Sequence, residues 1–140
     1  MRAARGRAGG YVVDVSDPVP DPCPCGSGKT FAECCGPLLS TERLAETAEE
    51  LMRSRYAAYV YGNREHLWRT WHPKTRPVDV VIDPSVRWIS LQINDVRDGG
   101  ADDGAGVVEF TATHDSGTMH ERSRFERRAG RWFYLDDQGD

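Results

Sequence analysis

Beyond residue 46 the chain alternates between two hydrophobic periods. Ala48, Leu51, Met52, Tyr56, Tyr59 and Val60 recur at intervals of three and four, with Arg55 on the same stripe, which predicts an amphipathic helix. Thr47-Ala48-Glu49-Glu50 reads as its capping box, with Thr47 as N-cap and Glu50 reaching back to the Thr47 backbone. Gly62 closes the helix, because glycine takes the left-handed backbone of a helix end without strain. Asn63 is placed to cap a second, shorter helix that carries Leu67, Trp68 and Trp71 and stops at Pro73. Residues 41–46 are a linker or a preliminary turn, and the pattern does not decide between them.

After Pro-Lys-Thr-Arg-Pro (73–77) the period shifts toward two. Ile89, Leu91 and Ile93 alternate with Trp88, Ser90 and Gln92; Val108, Phe110 and Ala112 mark the next strand. His-Asp-Ser-Gly turns the chain, and Met119, Glu121, Ser123 and Phe125 alternate with His120, Arg122 and Arg124. Arg-Arg-Ala-Gly-Arg is a hairpin turn before a last strand at Trp132–Leu135. Helices first, then four strands joined by short turns, predict an α+β fold with an antiparallel sheet. No period of the length seen in solenoid repeats occurs.

The 140 residues suit one ordinary domain with a small appendage. A net charge of −4 argues against a protein that coats nucleic acid, because such binding rests on basic side chains neutralising phosphates. No apolar run is long enough to span a bilayer. The opening Met-Arg-Ala-Ala-Arg-Gly-Arg has arginine but no apolar core, which argues against a secretory signal. It faintly resembles a transit peptide and reads better as a disordered leader, residues 1–20, of a cytoplasmic protein.

The candidate chemistry is concentrated in Cys-Pro-Cys-Gly-Ser-Gly-Lys-Thr-Phe-Ala-Glu-Cys-Cys-Gly, residues 23–36. Its Gly-Ser-Gly-Lys-Thr core mimics a phosphate-binding loop, but the first glycine that motif requires is Cys23, and the preceding segment has three prolines in eight residues and cannot be a buried strand. Cys23, Cys25, Cys34 and Cys35 are the only cysteines in the chain, and four soft ligands in two pairs can close a tetrahedron around one metal ion. Zinc is the expected ion, with iron the alternative for an all-thiolate site. Gly26 and Gly28 serve the turn, Lys29 offsets thiolate charge, and Phe31 plugs the small knuckle.

These residues resemble the SEC-C motif, a zinc knuckle found at the C-terminus of the SecA preprotein translocase ATPase and in many bacterial proteins. Ligand spacing and Gly-Ser-Gly agree, with cysteine rather than histidine at the fourth position, Cys35. The segments from Thr47 to Pro77 and from Met119 to Asp137 resemble the YchJ-like family, a bacterial group with no assigned activity. The resemblance implies a SEC-C knuckle at residues 21–38, followed over residues 39–140 by a nuclear transport factor 2-like domain, a cone of helices packed in a curved antiparallel sheet. The knuckle is too short to bury a core, so its folding is expected to depend on the metal while the cone stands on its own.

Cones of this type often hold a pocket lined by aromatics. Here Tyr56, Tyr59, Trp71, Trp88 and Trp132 are the candidate aromatics, with His72, Glu121 and Ser123 as polar groups. Strand alternation puts Glu121 and Ser123 on the inward face of Phe125, where a carboxylate needs a partner such as His72, Arg53 or Arg55. The bland alternative makes the aromatics core and the histidines surface or capping groups. The arginine-rich stretch from Arg122 to Arg131 reads as a solvated strand face and a hairpin tip. No nucleophile elbow, paired carboxylates or second metal cluster points to an enzyme. The favoured reading is a zinc-stabilised interaction module for a protein or ribosome-associated partner; the alternative is a small-molecule binder or enzyme using the cone.

Overall fold

A 3-10 turn (Phe31–Glu33) and a one-turn helix α1 (Gly36–Leu39) precede α2 (Ala48–Tyr61) and α3 (Arg64–Arg69). The strands β1 (Trp88–Asp98), β2 (Ala105–His114), β3 (Gly117–Arg128) and β4 (Arg131–Asp137) follow. The structure is a computed structural model and describes residues 21–138; the expected leader lies outside the described residues. The strands form one antiparallel meander in the order β1-β2-β3-β4, the α+β architecture expected. Among the described residues no helix is long and apolar enough to cross a membrane.

Helix α2 starts as its residues require, with the Thr47 hydroxyl accepting from the Glu50 N–H at 3.1 Å. Glu50 does not return the bond to Thr47: its carboxylate accepts from the Glu46 N–H at 2.7 Å and pairs with Arg43 at 2.7 Å. Arg43 draws the carboxylate one residue outward. Gly62, at φ 72°, ends the helix. Asn63 caps α3 through the His66 N–H at 3.0 Å, but α3 stops at Arg69, short of Trp71. The cause is tertiary. The Thr70 hydroxyl donates back to the His66 carbonyl at 2.7 Å. Beyond it, the Tyr134 N–H donates to the Thr70 carbonyl at 2.8 Å and the His72 N–H to the Tyr134 carbonyl at 2.7 Å. The segment after α3 is thereby bridged to β4.

The period-two pattern holds on β2 and β3, where Val108, Phe110, Ala112, Ser123 and Phe125 are buried. On β1 it breaks at a bulge between Trp88 and Ser90, which leaves Ile89 62% exposed instead of facing inward with Leu91. Trp88 turns in instead and meets the rings of Tyr56 and Tyr59 at 6.1 and 6.0 Å. Trp132 belongs to the core and lies outside the cavity between α2 and the sheet, with its indole N–H on the Glu46 carbonyl at 3.1 Å. On the outer sheet face Arg122 pairs with Glu109 at 3.0 Å, and Arg124 makes a two-pronged pair with Asp136 at 2.7 and 2.6 Å. The strand part of the arginine-rich stretch is thus a paired face at Arg122 and Arg124, while Arg127 and Arg131 lie over the rings of Trp132 and Phe133.

Helix α2 lays Ala48, Leu51, Met52 and Tyr56 against Leu91, Val108, Phe110 and Phe125. The same apolar cluster takes in Cys23, Cys25 and Cys35, so the boundary drawn near residue 38 crosses continuous packing.

Between α2 and α3, His66 is buried and donates from Nε2 to the Ser54 hydroxyl at 2.9 Å, because its Nδ1 accepts from Arg69 at 3.1 Å. Burial, then the nearby Arg69 and Arg55 charges, depress its pKa from 6.5 to about 3. The unfolded chain binds the proton more readily between those values, so stability is present above pH 6.5 and is lost as pH falls through the window. The His66 ring resonances are expected to stay flat from pH 8 to below 5 while unfolding free energy declines under pH 6.5. A His66 that titrates near its ordinary value contradicts this.

Candidate functional site

Residues 21–31 fold into a miniature hairpin. The Cys23 N–H donates to the Lys29 carbonyl at 2.9 Å and the Phe31 N–H to the Asp21 carbonyl at 2.9 Å. Its tip turns at Gly26 and Gly28, both left-handed at φ 81° and 88°, which side chains with a Cβ adopt only under strain. Thr30 then caps the 3-10 turn by accepting from the Glu33 N–H at 3.2 Å, and that turn carries Cys34 and Cys35 back beneath Cys23 and Cys25.

All four sulfurs lie within 4.8 Å of one another, and Cys34 sits 3.6 Å from Cys25 and 3.9 Å from Cys35. A tetrahedral zinc with bonds of about 2.3 Å separates its sulfurs by about 3.8 Å, so the shorter separations already match and the widest need close by no more than about 1 Å. The thiols are free of disulfides, and three of the four are buried.

The cation beside the cluster is Arg53 of α2. Its Nη1 donates to the Cys25 carbonyl at 2.8 Å and lies 3.9 Å from the Cys25 sulfur, while Lys29 is exposed. The Ser27 hydroxyl reaches the Cys34 sulfur at 3.1 Å. Such outer contacts orient thiolates and spread their charge. Phe31 packs over Gly36 and against the cluster that holds Cys23, Cys25 and Cys35, and its edge-on contact with Tyr61 at 5.0 Å also fastens the knuckle to α2. The hydrogen bond from the Cys35 thiol pulls the Cys25 pKa down to about 4 against the opposing effect of burial, whereas burial pushes Cys23 up to about 11. The metal-free cluster thus favours one thiolate at Cys25, and an entering ion must displace the protons of its neighbours.

A second feature lies between α2 and the concave sheet face, a cavity of about 250 Å³. Six of the sequence candidates line it: Tyr56, Tyr59, Trp71, Trp88, Glu121 and Ser123. Glu121 accepts from the Ser123 hydroxyl at 2.6 Å and from the Tyr134 hydroxyl at 3.1 Å. None of the expected cationic partners reaches it. Arg53 is held by Glu49 at 3.0 Å, and Arg55 donates to the Leu67 carbonyl at 2.9 Å and the Thr70 hydroxyl at 2.7 Å. His72 faces away from the cavity, 2% exposed, with Nδ1 accepting from the Lys74 N–H at 3.0 Å and Nε2 on Glu126 at 2.7 Å. Successive residues of an extended segment point to opposite sides, so Trp71 enters the cavity and His72 cannot.

Among the polar lining residues Tyr134 escapes the sequence argument, and Arg55 entered it only as a partner for Glu121. Tyr134 lies on the last strand two residues from Trp132, and that period was the signal for it. Its hydroxyl pKa is raised by burial and by the Glu121 carboxylate. Arg55 sits on the apolar helix stripe, where an arginine signals either a partner inside or an unfilled site.

Comparison with known proteins agrees with this architecture. Residues 47–137 match the YchJ middle NTF2-like domain, and residues 20–37 match the SEC-C motif. A UPF0225 protein of Streptomyces coelicolor is 49% identical over 117 residues, spanning 84% of this chain and 94% of that protein. A UPF0225 protein of Streptomyces avermitilis is 46% identical over 123 residues, 88% of each. The solution structure of RPA3114, a SEC-C motif containing protein from Rhodopseudomonas palustris, superposes with a TM-score of 0.74 at 35% identity, over 84% of this chain and 98% of that one. A crystal structure of a SEC-C motif containing protein from Psychrobacter arcticus shares the fold, with a TM-score of 0.68 at 24% identity over 84% of this chain and 82% of that one.

Proposed function

We propose that this chain, which belongs to the YchJ-like UPF0225 family, is a zinc-stabilised interaction module acting in the cytoplasm. The observation that supports this most is the closed donor set. Four sulfurs within 4.8 Å of one another fill every position of a tetrahedral ion and leave none for water or substrate. That is the arrangement of a structural site, whereas a catalytic zinc keeps one position open. Cys23, Cys25, Cys34 and Cys35 would hold the ion, and its chemistry there is to neutralise and cross-link thiolates. It fixes the knuckle's outer surface, where Lys29, Ala32 and Glu33 are exposed, for contact with a protein or ribosome-associated partner.

Two measurements test the two halves of this reading. Purified chain should carry about one equivalent of zinc, and cobalt substitution should give the absorption of a tetrahedral thiolate site. A stoichiometry near zero with four titratable thiols refutes the metal centre. Chain loaded with zinc should co-sediment with purified bacterial ribosomes and chelator-treated chain should not. If neither form sediments with ribosomes, the ribosomal partner is withdrawn.

A further inference from the structure

Arg55 poses an electrostatic problem that the fold does not solve. It is 4% exposed and donates only from Nη1, to the Leu67 carbonyl and the Thr70 hydroxyl. Among the described residues no carboxylate pairs with it, and no acceptor meets Nε or Nη2. Burial lowers its pKa to about 10, so the guanidinium is still charged at neutral pH. The rings of Trp71 at 5.1 Å and Tyr134 at 4.6 Å offset part of the lost hydration. The Glu121 carboxylate favours the charge only from a distance, and a buried guanidinium without a direct counterion is costly, so natural chains seldom keep one without a use for it.

Arg55 lines the cavity, whose walls also include the apolar and aromatic side chains of Tyr56, Trp88, Phe110 and Met119. We propose that this cavity binds a small aromatic carboxylate bearing a hydroxyl group, with the carboxylate on Arg55, the ring between the aromatic walls and the hydroxyl donating to Glu121. Three features narrow the class. The free edge of a guanidinium presents two parallel N–H groups, which match a carboxylate better than any single-point acceptor. A volume of about 250 Å³ falls just below the range that holds drug-sized molecules and admits a single substituted ring. Glu121 already accepts from Ser123 and Tyr134 through one oxygen, Oε2, which leaves Oε1 for a ligand donor and repels an anion placed at that end. The charges therefore set the ligand's direction.

An organic cation is the competing occupant, since aromatic walls with a carboxylate also suit an ammonium. Arg55 decides against it: the more deeply buried charge is positive, and a second cation nearby would meet it at low dielectric. This site is independent of the thiolate cluster, so its failure leaves the metal reading intact.

The test uses the full chain, 15N-labelled and zinc-loaded, titrated with 4-hydroxybenzoate, benzoate, phenol and benzylamine. Amides of Phe110, Met119 and Ser123 are expected to shift with 4-hydroxybenzoate, several-fold less tightly with benzoate, and at least about tenfold less tightly with phenol or benzylamine. Met119, 38% exposed at the rim, offers a blocking variant: Met119→Trp should keep the native spectrum and weaken 4-hydroxybenzoate binding by at least about tenfold. Arg55→Met should abolish the preference for the anion over phenol; if that variant does not fold, Met119→Trp decides alone. The proposal is overturned by binding unaffected by Met119→Trp, by benzylamine or phenol binding as tightly as 4-hydroxybenzoate, or by no response to any probe at millimolar concentration.

Discussion

Chelating the thiolate-bound ion is expected to lower the melting temperature of the whole chain, not merely to loosen residues 21–38. Cys23, Cys25 and Cys35 pack in the same cluster as Ala48, Leu51, Tyr56 and Phe110, and Arg53 of α2 is tied to the Cys25 carbonyl. Without the ion the knuckle has too little apolar surface to hold itself together. Its collapse uncovers the side of α2 that it shields. Losing burial equivalent to one or two aliphatic side chains costs the domain about 2–5 kcal/mol. The melting temperature should then fall by on the order of 10 °C. Hydrogen exchange should quicken throughout residues 21–38 and on the exposed side of α2, while β2 and β3, paired on both edges, keep their protection. An unchanged transition for residues 47–137 after complete metal removal would show that the packing across residue 38 carries no energy. The expectation that knuckle and cone stand apart would then hold.

What the sequence revealed and what it hid divide along the range of the interactions. The caps at Thr47 and Asn63, the Gly62 stop and the strand periods on β2 and β3 depend on residues a few positions apart, and all were legible. So was the four-cysteine cluster, because two cysteine pairs and their turn glycines occupy one short segment. Trp71 leaving its helix was not legible, since the cause is a bridge to Tyr134, far along the chain. The same bridge decides that His72 faces Glu126 instead of the cavity. Ile89 looked inward by alternation, and only the pairing with β2 fixes the bulge that turns it out. Arg55 was the most informative miss. The helix stripe placed it inside, and a buried arginine was expected to find Glu121; the structure buries Arg55, leaves Glu121 half-buried and brings the two together in no direct ion pair.

Gly106→Ala is expected to be among the most damaging single-methyl changes in the domain. A Cβ at Gly106 would lie 2.5 Å from the Gly99 Cα and 2.8 Å from its nitrogen, both backbone atoms that cannot swing aside. Gly99 is itself left-handed at φ 78° and abuts Ala48, so the β1–β2 turn and the first residue of α2 interlock with no space between them. The contact is also a hydrogen bond, from the Ala48 N–H to the Gly99 carbonyl at 2.9 Å. Relief requires the turn to move off the helix or α2 to shift along the sheet. Overpacking of this kind costs about 1–3 kcal/mol or more. The control is Gly104→Ala, two residues earlier in the β1–β2 connection, where an added Cβ meets nothing within 4 Å and should leave stability almost unchanged. Function should follow position, because α2 delivers Arg53 to the thiolate cluster and Arg55 to the cavity. Urea unfolding of the two variants, with zinc affinity measured on each, checks both steps. Gly106→Ala should lose stability and bind zinc more weakly than Gly104→Ala. Equal unfolding midpoints for the two would mean that the turn does not set the position of α2.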